Sequence, residues 1–228
     1  MDAAARTTRA LAHELANYLG AMRSTLYLLA DDAPDNPAVR EDLEVLARAH
    51  DEATELLEEL RRFARPGSVG MGSADLNAVI RDAEPELHAA MRAGTTLRLR
   101  CGSEPLVVRG DAPRLRLLVL DLVTTMGHSL ADGGRLEVET ARGPDQGRAA
   151  ALLSARGDGP GLEPERAVRI FEPFVFDKSG NAGLRLAAVY MTVVESGGTI
   201  TAASAPDAGT TIQLTLPLAA GAGETPAP

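Results

Sequence analysis

The sequence predicts an α+β protein: an N-terminal two-helix hairpin that forms a four-helix bundle on dimerisation, followed by an α/β sandwich. Three observations carry this expectation. Residues 3 to 64 keep a helical apolar spacing throughout. The acidic, proline-containing stretch DDAPDNP divides that spacing into two stripes. Beyond a Pro/Gly linker, short alternating runs interleave with apolar helical segments.

In the first block Leu11, Leu15, Leu19, Met22, Leu26 and Leu29 step by four, four, three, four and three. Such a stripe seeks a partner helix. The second stripe is Val39, Leu43, Leu46, Ala53, Leu57 and Leu60. A single hairpin covers its stripes poorly, and two hairpins make a four-helix bundle, so a homodimer is expected. RRFARPGSVGMGSADL ends the second helix at Pro66 and Gly67 and reads as a linker.

In the second block LNAVIRDAEPELHAAM reads as a helix with a bend at Pro85. TTLRLRC and PLVVRG read as strands, and APRLRLLVLDLVTTMGHSL as a strongly apolar helix. GRLEVETARG and RAAALLSARG form a hairpin about PDQG. PERAVRIF is a short helix, GLRLAAVYMTVVES a longer one, and GTITAAS and TTIQLTLPL an antiparallel pair. Helices on one face of a mixed sheet give the sandwich. The expected domains are residues 1–66 and 74–218, with 219–228 a disordered tail of small residues and proline.

Composition narrows the function. The net charge of −9, without a basic run, disfavours nucleic-acid binding, which needs clustered cations. No segment reaches the roughly 18 apolar residues of a membrane span. MDAAARTTRA lacks the apolar stretch of a signal peptide, which points to the cytoplasm. The lone Cys101 forms no internal disulfide and reads as a small buried apolar residue.

On a helical wheel with Leu11 at zero, Leu15, Met22, Leu26 and Leu29 fall within about 60° of zero, whereas His13 falls near 200°. His13 is expected to face water or a partner. Asn17 follows one turn on, about 40° away. Arg6, Arg9, Ala16, Gly20 and Ser24 share that face, and the small residues leave room for a partner's helix. An exposed imidazole near neutral pH is a competent nucleophile. His50 falls in the second stripe and reads as a bundle histidine.

LAHELANYLGAM resembles the phosphoacceptor box of two-component sensor histidine kinases, with His13, Glu14 and Asn17 at the matching positions. ELRRFARPG resembles the end of that family's second helix. GDAPRLRLLVLDLVTTMGHSLADGGRLEVET resembles its Asn box region, GDGPGLEPERAVRIFEPF its first Gly box and Phe box, and NAGLRLAAVYMTVVESGGTI its second Gly box. The resemblance implies a sandwich of the histidine-kinase ATPase type. It also implies that His13 carries a phosphoryl group as a phosphoramidate. Glu14 would act as general base, and Asn17 would position water in the reverse, phosphatase direction. Transfer to a receiver Asp needs mainly in-line positioning and Mg²⁺ supplied by that partner.

The nucleotide motifs depart from the family pattern. Thr125 stands where the family uses an Asn to hold Mg²⁺, and Asp121 replaces the other Asn of the box. Carboxylate oxygen suits Mg²⁺, so Asp121 keeps a metal reading open. His128 stands where the family often has a basic phosphate contact. In the first Gly box Gly159 and Gly161 remain, but Gly157 takes the place of the adenine-recognising Asp and Asp158 lies one residue late. In the second, Asn181 and Arg185 replace glycines and only Gly183 remains. Glycines serve there because backbone approaches phosphate closely.

The expected function is therefore a dimeric histidine phosphotransferase, similar in plan to ChpT-type phosphotransferases. It would shuttle phosphoryl between His13 and the receiver Asp of response regulators, with a pseudokinase domain that binds neither ATP nor a resident metal tightly. No sensor or membrane segment precedes the first helix in this sequence. Two alternatives stand beside this reading. One is an ATP-dependent autokinase with an atypical pocket, kept open by Asp121, Asp158 and His128. The other is a non-catalytic receiver-binding module, which would leave Glu14 and Asn17 unexplained.

Overall fold

A computed structural model of the chain describes residues 2–32, 37–63, 72–145, 147–172 and 181–219. Two long helices come first, α1 (Asp2–Asp32) and α2 (Pro37–Phe63). They pack against each other, and α2 also meets the later helix α6 (Asn181–Glu195). Pro37 opens α2, where its missing N–H costs nothing.

His50 ties the two helices together. It is 6% exposed. Its Nε2 donates to the Leu19 carbonyl at 2.9 Å, and its Nδ1 stands 3.3 Å from Asp51 Oδ1. His50 is thus buried with hydrogen-bond partners, as expected of a histidine in the apolar stripe. The stripe on α1 is only partly covered within one chain: Leu19 and Leu26 are half-buried, whereas Leu15, Met22 and Leu29 are about half exposed. On α2, Leu57 is buried and Leu46 is exposed.

The second block is a five-stranded mixed sheet. Its strands are β2 (Thr96–Arg100), β4 (Arg135–Asp145), β5 (Arg148–Gly157), β6 (Thr199–Ala205) and β7 (Gly209–Pro217). Their order is β2-β4-β5-β7-β6, with β2 and β4 parallel and the rest antiparallel. One face buries Leu136, Val138, Leu153, Ile212, Leu214 and Leu216 against three helices, α3 (Leu76–Ala89), α4 (Ala112–His128) and α6. The other face is polar. Arg98 lies opposite Glu137, which lies opposite Arg156 on the next strand, and Arg100 Nε reaches Glu137 Oε1 at 2.7 Å. This alternation of core-facing and water-facing residues is what one-sided burial of a sheet requires.

Three expectations need correction. The segment read as linker up to Asp75 contains a short strand, β1 (Ser73–Asp75), paired antiparallel with β3 (Val107–Arg109). A three-residue strand is too short for periodicity to reveal. The β4–β5 turn is tighter than PDQG, because Pro144 and Asp145 still pair with Ala149 and Arg148. At the far end Ala219 is still held, its N–H donating to the Val107 carbonyl at 2.8 Å, while the rest of the expected tail lies outside the described residues.

Asp75 and Asn77 fix the start of the second block. Asp75 caps α3, its Oδ1 accepting from Asn77 N at 3.1 Å and from Leu106 N at 2.8 Å. Asn77, 1% exposed, donates through Nδ2 to the carbonyls of Gly102 and Glu104 and accepts from Thr140 Oγ1 at 2.6 Å. Asn77→Leu would remove the donor from the Gly102 and Glu104 carbonyls and the acceptor from the Thr140 hydroxyl, which keeps what Gly102 N donates to it. The expected loss of stability is about 2–4 kcal/mol, read as a lower unfolding midpoint with an unchanged denaturant slope. Nearby Cys101 is half-buried rather than fully buried. Burial pushes its thiol up from its ordinary value, partly opposed by a hydrogen bond with Thr140, which makes it a poor nucleophile.

Candidate functional site

Two regions hold the residues of interest. The first is α1. His13 lies on this helix, but its side chain, like that of Arg9, is outside the described residues. The residues around it that are described face outward: Glu14, Asn17, Gly20 and Ser24 are exposed and Ala16 is half-buried. Ser24 Oγ donates to the Gly20 carbonyl at 3.2 Å, so its hydroxyl is turned onto its own helix. No atom would crowd a Cβ at Gly20 within 4 Å, which leaves the surface below Asn17 open.

The second region lies at one end of the sheet, between the last turn of α4 and the loop after β5. Asp111 caps the start of α4, accepting from Arg114 N at 2.9 Å. Seventeen residues later the helix ends at His128. An inner cavity of about 260 Å³ is lined by Thr125, His128, Ser129, Gly157, Gly159, Pro160, Gly161, Leu162, Arg166 and Thr210. Sharing a wall with it at His128, Ser129, Gly159 and Pro160 is an outer cleft of about 450 Å³ that also meets Arg92, Asp158 and Asp207.

The two glycines that survive in the first Gly box have structural reasons to do so. A Cβ on Gly159 would stand 2.8 Å from the Ser129 carbonyl oxygen. Gly161 has φ +72°, and a Cβ there would stand 1.9 Å from the Ala205 carbonyl oxygen. Both glycines are demanded by backbone packing, whatever the cavity holds.

Asp158 does not take over from Gly157. It is exposed, it belongs to the outer cleft, and its Oδ1 accepts from the Arg135 N–H at 2.6 Å. Among the described residues no carboxylate lines the inner cavity. Thr125, 1% exposed, lines it with an Oγ1 that has no hydrogen-bond partner in the described structure. His128 is exposed at the boundary of the two spaces, while Asp121 and Arg185 are half-buried with partners of their own. Gly183 lies in the first turn of α6, with its surroundings outside the described residues.

The structure thus gathers Thr125, His128, Gly159 and Gly161 at one cavity and leaves Asp158 at its rim. Sequence reasoning missed Ser129, Arg166 and Thr210 as wall residues. None of the three carries a sequence signal, and the hydrogen bond of Thr210 Oγ1 with Ser204 Oγ at 2.8 Å appears only once β6 and β7 pair. No group of three His, Cys, Asp or Glu among the described residues is arranged to hold a metal ion. No helix among them is long and apolar enough to cross a membrane.

Residues 110–220 match the family described as histidine kinase-, DNA gyrase B-, and HSP90-like ATPase. The sensor histidine kinase ZraS of Klebsiella oxytoca is 30% identical over 210 residues, 91% of this chain and 45% of that protein. The signal transduction histidine-protein kinase AtoS of Escherichia coli is 26% identical over 212 residues, covering 91% and 34%. Against both relatives the chain spans less than half of their length. Among solved structures, the mycobacterial sensor histidine kinase MprB superposes with a TM-score of 0.55 at 25% identity, covering 64% of this chain and 97% of that one. Full-length ShkA in complex with AMPPNP shares the fold, with a TM-score of 0.69 at 23% identity over 96% of this chain and 47% of that one.

Proposed function

Taking as premise that the second block is an ATPase domain of the sensor histidine kinase type, we propose that this chain is a homodimeric histidine phosphotransferase of a two-component phosphorelay, with response regulator receivers as its partners. One observation carries the reading: among the described residues no carboxylate lines the inner cavity, and Asp158, at the neighbouring cleft, accepts from the Arg135 N–H. Among the described residues, the side chains at this end do not fit an adenine nucleotide with Mg²⁺. Thr125 replaces the metal-binding carboxamide with a buried neutral hydroxyl, and the surviving glycines answer to packing. The acceptor box on α1, by contrast, keeps His13, Glu14 and Asn17 together.

The chemistry follows from that box. An unprotonated ring nitrogen of His13 attacks phosphorus in line, the N–P bond forms, and the P–O bond of the acyl phosphate breaks to return the receiver's carboxylate. Glu14 stabilises the proton on the other ring nitrogen, and the receiver's own Mg²⁺ neutralises the charge on the transferring group. Asn17, exposed one turn on, orients water when the group is hydrolysed instead. Arg9, Ala16, Gly20 and Ser24 form the surface on which the receiver lies.

Incubation with a phosphorylated receiver domain tests this directly. Label should move to the chain and be acid-labile, as a phosphoramidate is. Its absence with an active receiver excludes the proposal.

The partly covered stripe on α1 supports the dimer. Met22 is 54% exposed, between Leu15 and Leu29 on the wheel. In light scattering the protein should have twice the chain mass of 23.9 kDa, and Met22→Glu should give the monomer. A wild-type monomer at micromolar concentration would contradict the bundle.

A further inference from the structure

We propose that Leu218 and Ala219 act as a backbone strap that fixes the place where the chain from α2 enters the second block. This device is independent of the phosphotransfer reading and of whatever the cavity holds.

The shared element is β3. On one edge it pairs with β1, Ser73 opposite Arg109, Ala74 opposite Val108 and Asp75 opposite Val107. On its other edge Val108 forms an antiparallel bridge with Leu218, and Ala219 N–H donates to the Val107 carbonyl at 2.8 Å. The residues by which the chain enters the block and the residues that follow its last strand thus flank the same three-residue strand.

Such an arrangement is cooperative. Two short strands are marginal in water, and a third gives a small sheet stability of its own. Val108, in the middle, is fully buried. Ala74 on one side and Leu218 on the other are half-buried against the same apolar core. When Leu218 leaves, Val108 loses cover and the β1–β3 pair is left as two strands.

The two ends of β1 are held by different means. At Asp75 a side chain does the holding: Oδ1 accepts from Asn77 N and Leu106 N, and Oδ2 stands 3.8 Å from Arg81 Nη2. At the entry end the tie is backbone, Gly110 N–H donating to the Gly72 carbonyl at 3.0 Å. Loss of the strap is therefore felt at Gly72 before it is felt at Asp75. From Gly110 the chain runs directly into Asp111, the cap of α4. A binder that draws Leu218 and Ala219 away would loosen the joint between the hairpin and the sheet from the opposite end of the sequence.

The test is native-state amide hydrogen exchange, read residue by residue by NMR. The full chain is compared with Ala219→Pro, which removes the N–H given to Val107, and with a chain ending at Pro217. Exchange at the Gly110 N–H should speed up by at least about threefold in Ala219→Pro, as loss of one hydrogen bond implies. In the shortened chain, which also loses the half-buried leucine, the acceleration should be about tenfold or more. The Leu106 N–H, held by the Asp75 carboxylate, should change by less than about twofold in both. Thermal melts check that the variants fold, and should the shortened chain fail to fold, Ala219→Pro carries the test. Unchanged exchange at Gly110 in either folded variant overturns the proposal, because strap and joint are then independent. Equal acceleration at Gly110 and Leu106 also overturns it, because the domain then loosens as a whole.

Discussion

His13→Ala should abolish phosphoryl labelling by a phosphorylated receiver, a drop of at least about 10³-fold, because the remaining histidines, His50, His88 and His128, lie outside the acceptor box. The chain offers an internal control. His50 stands on the neighbouring helix, buried, with Nε2 spent on the Leu19 carbonyl. His50→Ala should cost about 1–3 kcal/mol of stability by leaving that contact unmade, yet keep the label. The two variants separate a working imidazole from a packing one. Glu14→Gln and Asn17→Ala should fall between them, with Asn17→Ala changing the hydrolysis of the phosphorylated state more than its formation. A folded His13→Ala protein that still takes label, or a folded His50→Ala protein that loses it, would reassign the acceptor.

Gly161→Ala should be among the most destabilising single methyl additions in the molecule. The added Cβ would stand 1.9 Å from the Ala205 oxygen and 2.7 Å from its carbonyl carbon, so two backbone segments must part. The positive φ of +72° adds strain of its own. Together these should cost about 3 kcal/mol or more, which in a chain of this size lowers the melting temperature by about 6–12 °C. Gly133→Ala is the matched comparison. Its φ is +79°, but nothing lies within 4 Å of the added carbon, so only the strain remains. That variant should lose about 1–2 kcal/mol, or 2–8 °C. If the two variants melt alike, packing is not what keeps glycine at position 161, and its survival regains meaning as a nucleotide contact.

Much of the second block was readable because one-sided burial writes itself into alternation. Ile212, Leu214 and Leu216 are buried and Gln213 between them is exposed, so β7 announces both its type and its orientation. The long helices were readable from their leucine spacing, and the burial of His50 from its place in the stripe. What stayed hidden depended on distant backbone. β1 exists because β3 lies beside it, and three residues cannot show a period. The constraint on Gly161 comes from Ala205, more than forty positions away in the chain. The commitment of Asp158 to Arg135 N–H was equally invisible, since a one-residue offset in a motif leaves open where the carboxylate turns. The unpartnered hydroxyl of Thr125 is a fact of three-dimensional packing, and the substitution in the motif only hinted at it.

The central claim is that phosphoryl reaches this protein from another protein rather than from ATP. Titration of the full chain with ATP and Mg²⁺ in a calorimeter, followed by incubation with γ-labelled ATP, tests it most directly. The account predicts no saturable ATP binding and no transfer of label to His13, while the same sample accepts label from a phosphorylated receiver. Saturable ATP binding together with ATP-derived label on His13 would contradict it and make the protein an autokinase.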